Sequence, residues 1–330
     1  MQKPLICIVN TGGTIASRYR PELDGWVSDA TAAELVGAVP GLTDIADFEV
    51  IEHSQVNGYR IDTETVFSLA KRLRVLVLRE DIAGVVVTHG TATLEETAYL
   101  LDLTVATSKP IVITGAQRRF DDSGADGPMN IFTAVKVAAE DASRDRGVMA
   151  VFDSRIFSAR DVIKVHTHSL AAFGSRDSGP IGYTSRDQVI FFSRPERFLH
   201  FDVDHLKENV QLVKLVQGGN DLLVRACISG RADGIIIEGI SSGHANDGPY
   251  SAICDALDAG MPVVMVPRIL FGGNNVEGTQ YAAPGSIHTL IQKGAIAGGY
   301  LSGQKARILL MVALAQTKDP TELRQFFARA

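Results

Sequence analysis

Residues 84–98 read Gly84-Val-Val-Val-Thr-His-Gly-Thr91-Ala92-Thr93-Leu-Glu-Glu96-Thr-Ala98, and their pattern is the clearest indication of the chain's architecture. The apolar run from Val85 to Val87 follows a glycine, which predicts a buried strand that ends in the Thr-His-Gly turn. A helix is predicted to begin at Thr93, because Thr93 and Glu96 have the spacing of a capping box and acidic residues favour the first turn of a helix. We therefore expect a strand, a tight turn and a helix in immediate succession.

The turn between that strand and that helix carries Thr91 and Ala92. Main-chain N–H groups point outward from the N-terminus of a helix, where they can hold an anion or a developing oxyanion. Open α/β sheets bind their ligands at this place, beyond the carboxyl ends of the strands. The stretch thus predicts both an α/β fold and the position of its site.

The composition favours small-molecule chemistry. The chain has 330 residues, of which 45% are hydrophobic, and a formal net charge of −6. An acidic chain without a Lys/Arg cluster has no general attraction for nucleic acid or for an anionic membrane. No run reaches the ~18 apolar residues of a membrane span. We expect neither nucleic acid nor a membrane as a partner.

The cysteines and the first residues favour a cytoplasmic location. Cys7, Cys227 and Cys254 are odd in number, lack a ligand-like spacing and have apolar neighbours, so buried thiols are expected rather than disulfides or a zinc site. The run from Leu5 to Val9 is short for a signal peptide and no cleavage site follows it.

A second turn of the same kind follows the strand predicted from Leu5 to Val9. It reads Asn10-Thr11-Gly12-Gly13-Thr14-Ile15-Ala16, and its double glycine lets the main chain approach a ligand closely. The pattern is neither a Walker loop nor G-x-G-x-x-G, which argues against a phosphate site. Residues 17–30 are polar and lack a period, so we predict a mobile loop near this turn that acts as a lid.

Strands and helices alternate along the chain, which predicts a larger N-terminal α/β domain over residues 1–192 with a mostly parallel sheet flanked by helices. Residues 193–210 are polar and without a period, and we interpret them as a linker. A smaller α/β domain is predicted over 211–330. The predicted strands are 5–9, 48–52, 84–88, 111–115, 148–152, 211–216, 234–238 and 262–267, with 156–164 extended; the predicted helices are 62–79, 93–103, 129–142, 222–229, 250–258, 303–315 and one that Asp319 caps, with Pro320 in its first turn.

The two threonines that follow the glycine turns are candidates for chemistry. The hydroxyls of Thr14 and Thr91 are poor nucleophiles at neutral pH and need a nearby base, a lowered pKa or a metal. Lys164 ends an extended stretch with apolar neighbours, where burial would favour its neutral form. Taken singly, each of these residues more often has a structural role.

Four motifs together resemble the bacterial-type L-asparaginase/glutaminase family, in order and at matching separations. They are Thr11-Gly-Gly-Thr14-Ile-Ala16, Thr88-His-Gly-Thr91-x-Thr-Leu-Glu-Glu-Thr-Ala98, Gly124-Ala-Asp-Gly-Pro-Met-Asn130 and Arg160-Asp-Val-Ile-Lys164. Similarity extends to the C-terminus through Leu301-Ser-Gly-Gln-Lys-Ala-Arg-Ile-Leu-Leu310 and Ala315-Gln-Thr-Lys-Asp-Pro320. The resemblance implies a two-domain amidohydrolase that needs neither metal nor cofactor.

The resemblance also implies roles for individual residues. Thr14 would be the nucleophile of an acyl-enzyme that releases ammonia, and Thr91 with Lys164 would form the second catalytic cluster. Tyr19 in the lid loop would match the family's mobile tyrosine and is a further catalytic candidate. The residues expected to bind a small carboxamide substrate are Gly13, Gly90, Ala92, Ser54 and Gln55. Members work as homotetramers built from intimate dimers, so Asn220 and Glu277 would reach a neighbouring subunit's site.

One departure from the family pattern concerns Ala92, where the family has an aspartate. In the family this carboxylate orients the lysine and pairs with the α-ammonium of the substrate. Its loss removes a charge-assisted contact worth about 1.5–3 kcal/mol. Either the residue was changed to disable the enzyme, or the chain is a divergent member whose substrate lacks an α-amino group at that place. In both cases we expect weak or absent activity on asparagine.

Three alternatives remain open at this point. Ser241 lies in Gly239-Ile-Ser-Ser-Gly243, which fits a nucleophile elbow with Asp255 and His288 downstream. A degenerate scaffold that binds a small carboxylic acid without turnover is a second alternative. A metal site at His166 and His168 lacks a third ligand at a recognisable spacing, and His89 is expected to pack within its turn.

Overall fold

The computed structural model of the chain describes residues 3–185, 188–196, 199–274 and 281–330. The chain divides into two compact units, 1–197 and 198–330, and the division falls within the segment 193–210. No helix of the described part of the chain is both long enough and apolar enough to cross a membrane.

The first unit is built on a mixed sheet with helices. Its strands are β1 Leu5–Gly12, β2 Ser17–Arg20, β3 Gly25–Ser28, β4 Asp47–Val56, β5 Ile82–Thr88, β6 Ile111–Thr114, β7 Val148–Phe152, β8 Arg155–Ser158, β9 Val162–Lys164, β10 Phe173–Ser175, β11 Gly182–Thr184 and β12 Val189–Phe191. Its α-helices are α1 Ala32–Gly37, α2 Leu42–Ile45, α3 Thr63–Leu78, α4 Leu94–Thr104 and α5 Gly127–Ala139.

The main sheet of this unit has the strand order β12-β11-β8-β7-β6-β5-β1-β4. Strands β4, β1, β5, β6 and β7 are parallel, whereas β8, β11 and β12 add antiparallel pairs at one edge. The prediction of a mostly parallel sheet flanked by helices is confirmed. Because β1 and β5 are neighbours, the turns that follow them lie side by side at the carboxyl edge.

Helices cover both faces of this sheet. Val86 lies in a core with residues of α1, α2 and α5, and α5 contacts both α1 and α2. Val85 and Val87 are fully buried as well and point to the opposite face, since side chains alternate along a strand. Helices α3 and α4 pack together and against strands of the sheet. Burial on both faces explains why β5 reads as an unbroken apolar run.

The structure corrects several sequence predictions in this unit. The segment 17–30 contains the hairpin β2–β3, in which Tyr19 pairs with Trp26, rather than a loop without regular structure. Strand β4 extends to Val56, beyond its predicted end at residue 52. The extended stretch 156–164 is two strands, β8 and β9, which pair with different partners.

The second unit has a parallel sheet whose strands lie in the order in which they follow along the chain, and the predicted smaller α/β domain is confirmed. The helix at 287–292 and the short strand at 296–297 were not predicted. The strands are β13 Val210–Lys214, β14 Gly234–Gly239, β15 Val263–Pro267 and β16 Ile296–Ala297, and the helices are α6 Leu222–Ser229, α7 Asp247–Asp258, α8 Ile287–Gln292, α9 Gly303–Gln316 and α10 Pro320–Ala328.

Candidate active site

Three glycines bring the two Gly-Thr turns together. A Cβ placed on Gly13 would lie 2.3 Å from the Cα of Gly90, and one on Gly90 would lie 2.4 Å from the Cα of Gly58. Main chain therefore contacts main chain at this junction, and a side chain at either position has no room. Thr14 and Thr91 each follow one of these glycines, so the junction holds the two turns side by side.

Asn10 fixes the strand ends beneath the junction. Its Nδ2 donates to Glu52 Oε2 at 2.8 Å and to the carbonyl of Ala30, while its Oδ1 accepts from Thr88 Oγ1 at 2.9 Å and from the N–H of Gly12. A fully satisfied buried network of this kind rigidifies its surroundings. Sequence reasoning missed Asn10, although a polar amide at the end of a buried strand was a signal.

Lys164 lies against Thr91, as the sequence predicted. The residue ends β9, and its Nζ donates to Thr91 Oγ1 at 2.8 Å. Partial burial lowers the pKa of Lys164 below its usual range, and the charge of Glu95 opposes that shift. The lysine is thus closer to neutrality near pH 7 than an exposed amine, while it keeps a direct contact with a hydroxyl.

The turn at Thr91 also offers main-chain donors. Within the described residues, no oxygen accepts from the N–H of Thr91 or of Ala92, although Thr91 itself is buried. The methyl side chain of Ala92 is exposed. These N–H groups stand before the first turn of α4, where the helix dipole favours a negative group.

His89 packs within the turn, as predicted. Its Nδ1 lies 2.8 Å from the carbonyl oxygen of Gly90 and its Nε2 lies 3.0 Å from Thr97 Oγ1. Complete burial lowers the pKa of His89 to about 4. The imidazole is therefore neutral at pH 7, and it supports the turn instead of acting as a base.

The predicted capping box at the start of α4 is wrong. Thr93 is the N-cap residue, but its side chain makes no capping hydrogen bond. Its Oγ1 instead donates to the carbonyl of Gly58 at 2.9 Å. The hydroxyl thereby ties the α4 turn to the third glycine of the junction.

Thr14 is half-buried and immediately follows the junction. Within the described part of the chain, its hydroxyl has no hydrogen-bond partner. The carbonyl of Gly13 accepts from the hydroxyls of Ser17 and Ser28, which fixes the main chain before Thr14. The Thr14 hydroxyl is therefore held on a rigid turn without being committed to an internal bond.

Tyr19 lies on the β2–β3 hairpin, and its hydroxyl is directed to that hairpin's own turn. It donates to Asp24 Oδ1 at 2.5 Å, which raises the pKa of the phenol. Its ring packs edge-on against Trp26 with 5.4 Å between ring centroids. The structure does not bring the Tyr19 hydroxyl to Thr14.

Ser54 and Gln55 lie at the end of β4, beside the end of β1. Ser54 Oγ donates to the carbonyl of Thr11 at 3.0 Å. Gln55 is exposed, and among the described residues its side chain has no hydrogen bond. The register between β1 and β4 shifts between Asn10 and Gly12, so Ser54 and Gln55 fall opposite the irregular part of β1.

Of the two residues expected to serve a neighbouring subunit, Asn220 lies in the second unit and Glu277 lies outside the described residues. Asn220 is exposed, and its Oδ1 accepts from the N–H of Leu222 at the start of α6.

The structure does not assemble the alternative triad at Ser241. Ser241 has the left-handed φ of 55°, but His288 Nε2 lies 3.0 Å from Gln292 on its own helix, and Asp255 pairs with Arg225 at 3.0 Å. Neither His288 nor Asp255 is hydrogen-bonded to Ser241.

The neighbouring Ser242–His244 pair is not an activated nucleophile. His244 Nε2 lies 3.3 Å from Ser242 Oγ, while His244 Nδ1 accepts from the N–H of Ile287. Because Nδ1 is the acceptor, the proton of the neutral ring is on Nε2, and this nitrogen cannot take the proton of Ser242. His166 and His168 lie together in an exposed turn, and no group of three or more metal-binding side chains occurs among the described residues.

The fold and the threonine–lysine pair define the class of protein: the chain is an asparaginase-like amidohydrolase. Residues 5–197 match the family model of the asparaginase N-terminal domain, and residues 209–327 match that of the glutaminase/asparaginase C-terminal domain. The chain therefore belongs to the asparaginase family.

Relatives over nearly the whole length agree with this assignment. The chain is 36% identical to L-asparaginase 2 of Escherichia coli (strain K12), over 98% of this chain and 92% of that protein. It is 35% identical to L-asparaginase 2 of Bacillus subtilis, over 98% of this chain and 86% of that protein. A crystal structure of a probable cytoplasmic L-asparaginase from Campylobacter jejuni superposes with a TM-score of 0.87 at 32% identity, covering 99% of this chain and 100% of that chain.

Proposed function

We propose that the chain hydrolyses a small carboxamide through an acyl-enzyme on Thr14. The hydroxyl of Thr14 attacks the amide carbon, the C–N bond breaks, and the amine group leaves as ammonia after it gains a proton. Water then attacks the Thr14 ester and releases the carboxylic acid. The contact between Lys164 Nζ and Thr91 Oγ1, at 2.8 Å, carries this proposal, because it places a partly desolvated amine on a hydroxyl beside the Thr14 turn.

Lys164 and Thr91 serve this reaction as a proton relay. The neutral lysine takes the proton of Thr91, and Thr91 takes one from the group that attacks. The N–H groups of Thr91 and Ala92 can donate hydrogen bonds to the negative charge that develops on the carbonyl oxygen. Gly13, Gly90, Ser54 and Gln55 line the place where the substrate's other polar groups would bind. No step requires a metal or a cofactor.

The substrate that fits Ala92 is a dicarboxylic monoamide without an α-ammonium group. Ala92 is exposed and presents a methyl group where a carboxylate would attract a cation. An asparagine ammonium at that place would lose its hydration without gaining a charged partner. Succinamate has the same chain length and carboxylate as asparagine but no ammonium, so it avoids this cost.

The chain works as a homotetramer of intimate dimers in the cytoplasm. This part of the proposal depends on the family, since some of the residues that complete the site would come from a neighbouring subunit. Asn220 is exposed and available for such a role, and Glu277 is its proposed companion. Tyr19 would join the site after its bond to Asp24 breaks. The similarity to the probable cytoplasmic L-asparaginase of Campylobacter jejuni supports the cytoplasmic location.

Ammonia release from asparagine, glutamine, succinamate and maleamate tests the proposal. The unaltered chain should turn over succinamate or maleamate with a higher kcat/KM than asparagine. Ala92→Asp should raise kcat/KM for asparagine by roughly 10- to 150-fold, the equivalent of 1.5–3 kcal/mol. Ala92→Asn is the matched control, because asparagine has the size of aspartate without its charge. This variant should give no comparable rise in kcat/KM for asparagine.

Two outcomes would contradict the proposal. Asparagine activity that matches the succinamate activity and is unaffected by Ala92→Asp would refute the argument from residue 92. Absence of ammonia from every amide, in the unaltered chain and in Ala92→Asp alike, would refute turnover and favour the alternative of a small-ligand binding protein.

A further inference from the structure

Glu95 is hydrogen-bonded to the main chain of Lys164, the residue whose amine contacts Thr91. The main-chain N–H of Lys164 donates to Glu95 Oε2, a contact that joins residues 69 positions apart in the sequence. The same lysine donates through Nζ to Thr91 Oγ1. Thr91 lies just before α4, and Glu95, four residues later, lies in the first turn of this helix. This turn therefore binds Lys164 at both its main chain and its side chain.

The burial of Glu95 makes this contact unusual. The residue is 8% exposed, although a carboxylate is rarely buried without a compensating partner. Its place in the first turn of α4 favours its negative charge through the helix dipole. A buried anion that accepts a main-chain N–H fixes the position of that N–H more firmly than a neutral acceptor would.

Strand β9 makes this contact through its last residue. Lys164 is opposite Phe173 in the antiparallel pair β9–β10, and the N–H of the following residue, Val165, donates to the carbonyl of Ala172. The Lys164 N–H is directed away from this ladder and toward α4. Strand β9 thus ends at the helix, and the side chain of Lys164 starts from a fixed point.

Besides holding the main chain of Lys164, Glu95 acts on the amine of that residue through its charge. Within the described part of the chain, Glu95 is the one group whose charge shifts the pKa of Lys164, and it raises that pKa against the effect of burial. Residue 92, on the same turn, is an alanine and supplies no charge. The protonation of the lysine is therefore set by the balance of burial and one carboxylate.

We propose that Glu95 is a positioning residue for the reaction, which holds the main chain of Lys164 in place and supplies the negative charge that acts on its amine. This inference rests on the proposed function of Lys164 in the proton relay. It predicts two separable effects, one on geometry and one on charge.

Two substitutions separate these effects. Glu95→Gln keeps an oxygen that accepts the Lys164 N–H but removes the charge, so the acid limb of the kcat/KM profile should move to lower pH while kcat at its optimum changes little. Glu95→Ala removes both, and kcat should fall roughly tenfold or more because the amine is no longer held on Thr91. Glu96→Gln is the matched control: it removes a carboxylate from the same helical turn whose charge does not shift the pKa of Lys164, and it should leave the acid limb in place.

A titration of the Lys164 amine by NMR keeps the test independent of turnover. In folded Glu95→Gln protein the midpoint should lie below that of the unaltered chain, and in Glu96→Gln it should not. Equal midpoints and equal acid limbs in all three proteins would overturn the role of Glu95. If no amide is hydrolysed but the midpoints differ as expected, the proposed function fails and the role of Glu95 in setting the state of Lys164 stands.

Discussion

Substitution of Gly90 by alanine tests whether the glycine junction sets the geometry of the site. A Cβ at residue 90 would lie 2.4 Å from the Cα of Gly58, 2.7 Å from its nitrogen and 3.3 Å from the Cα of Gly13. Non-bonded carbon atoms need about 3.5 Å or more, so the main chains must separate by about 1 Å. All the atoms that would have to move belong to main chain, which gives way less easily than a side chain.

The expected cost of Gly90→Ala follows from that displacement. Overpacking of a rigid site costs about 1–3 kcal/mol of the free energy of unfolding. The turn of Thr91 would also shift against the turn of Thr14, and a misplacement of about 1 Å can cost roughly 100-fold in rate. We expect kcat/KM to fall by about that factor, more than the loss of stability alone would produce in folded protein.

Urea denaturation and ammonia release measure these two effects. Gly37→Ala is the control, because a Cβ at residue 37, the last residue of α1, meets no atom within 4 Å. This control should be active and as stable as the unaltered chain, or slightly more so, since alanine favours helix. The reasoning is refuted if Gly90→Ala unfolds at the same urea concentration as the unaltered chain and releases ammonia at the same rate.

Three further predictions concern single side chains. Lys164→Met should lower kcat by roughly 10²- to 10⁴-fold, the range for loss of a general base, with little change in the urea midpoint; retention of activity would exclude the relay. Thr14→Val should abolish ammonia release, whereas Ser241→Ala should leave it unchanged. Loss of ammonia release in Ser241→Ala but not in Thr14→Val would favour Ser241 as the nucleophile. Burial lowers the pKa of His89 to about 4 from its ordinary value near 6.5. The unfolded chain therefore binds a proton at His89 more readily than the folded chain does. The free energy of unfolding should fall by about 3 kcal/mol in total as the pH drops from about 6.5 to about 4. Below that range His89 should contribute no further change. His89→Gln should remove that part of the slope in urea unfolding measured at several pH values, and an unchanged slope would show that another group is responsible.

Features that depend on neighbouring residues in the sequence were predicted well. Asp62 caps α3 by accepting from the N–H of Thr65, and Asp319 caps α10 by accepting from residues two and three positions later. Each cap is decided within three residues, so the local pattern contains the whole cause. The buried strands β5 and β7 were predicted for the same reason, since an apolar run between turn residues defines a strand covered on both faces.

Features decided by distant contacts were missed or predicted wrongly. Thr93 has the local spacing of a capping residue, yet its hydroxyl bonds to Gly58, 35 residues away, because the glycine junction brings that carbonyl within reach. The hairpin β2–β3 was missed since it has no regular alternation and is anchored by Ser17 and Ser28 on the carbonyl of Gly13. Spacing along the chain gives no measure of such contacts.

The candidate site combines both kinds of feature, and this explains which of its parts the sequence revealed. The glycine turn made Thr91 a candidate, and the family resemblance paired it with Lys164, whose Nζ lies 2.8 Å from the Thr91 hydroxyl. The contact of Glu95 with the main-chain N–H of Lys164 was not predicted, because local pattern alone assigned Glu95 to the helix dipole. The side chain of Ala92 takes no part in these contacts and is exposed. A change at residue 92 can therefore alter the charge that meets the substrate while the bonds that hold the lysine on the threonine stay intact. We therefore expect substitutions at position 92 to alter substrate preference and substitutions at position 95 to alter the placement and protonation of Lys164, so that the two properties can be tested separately.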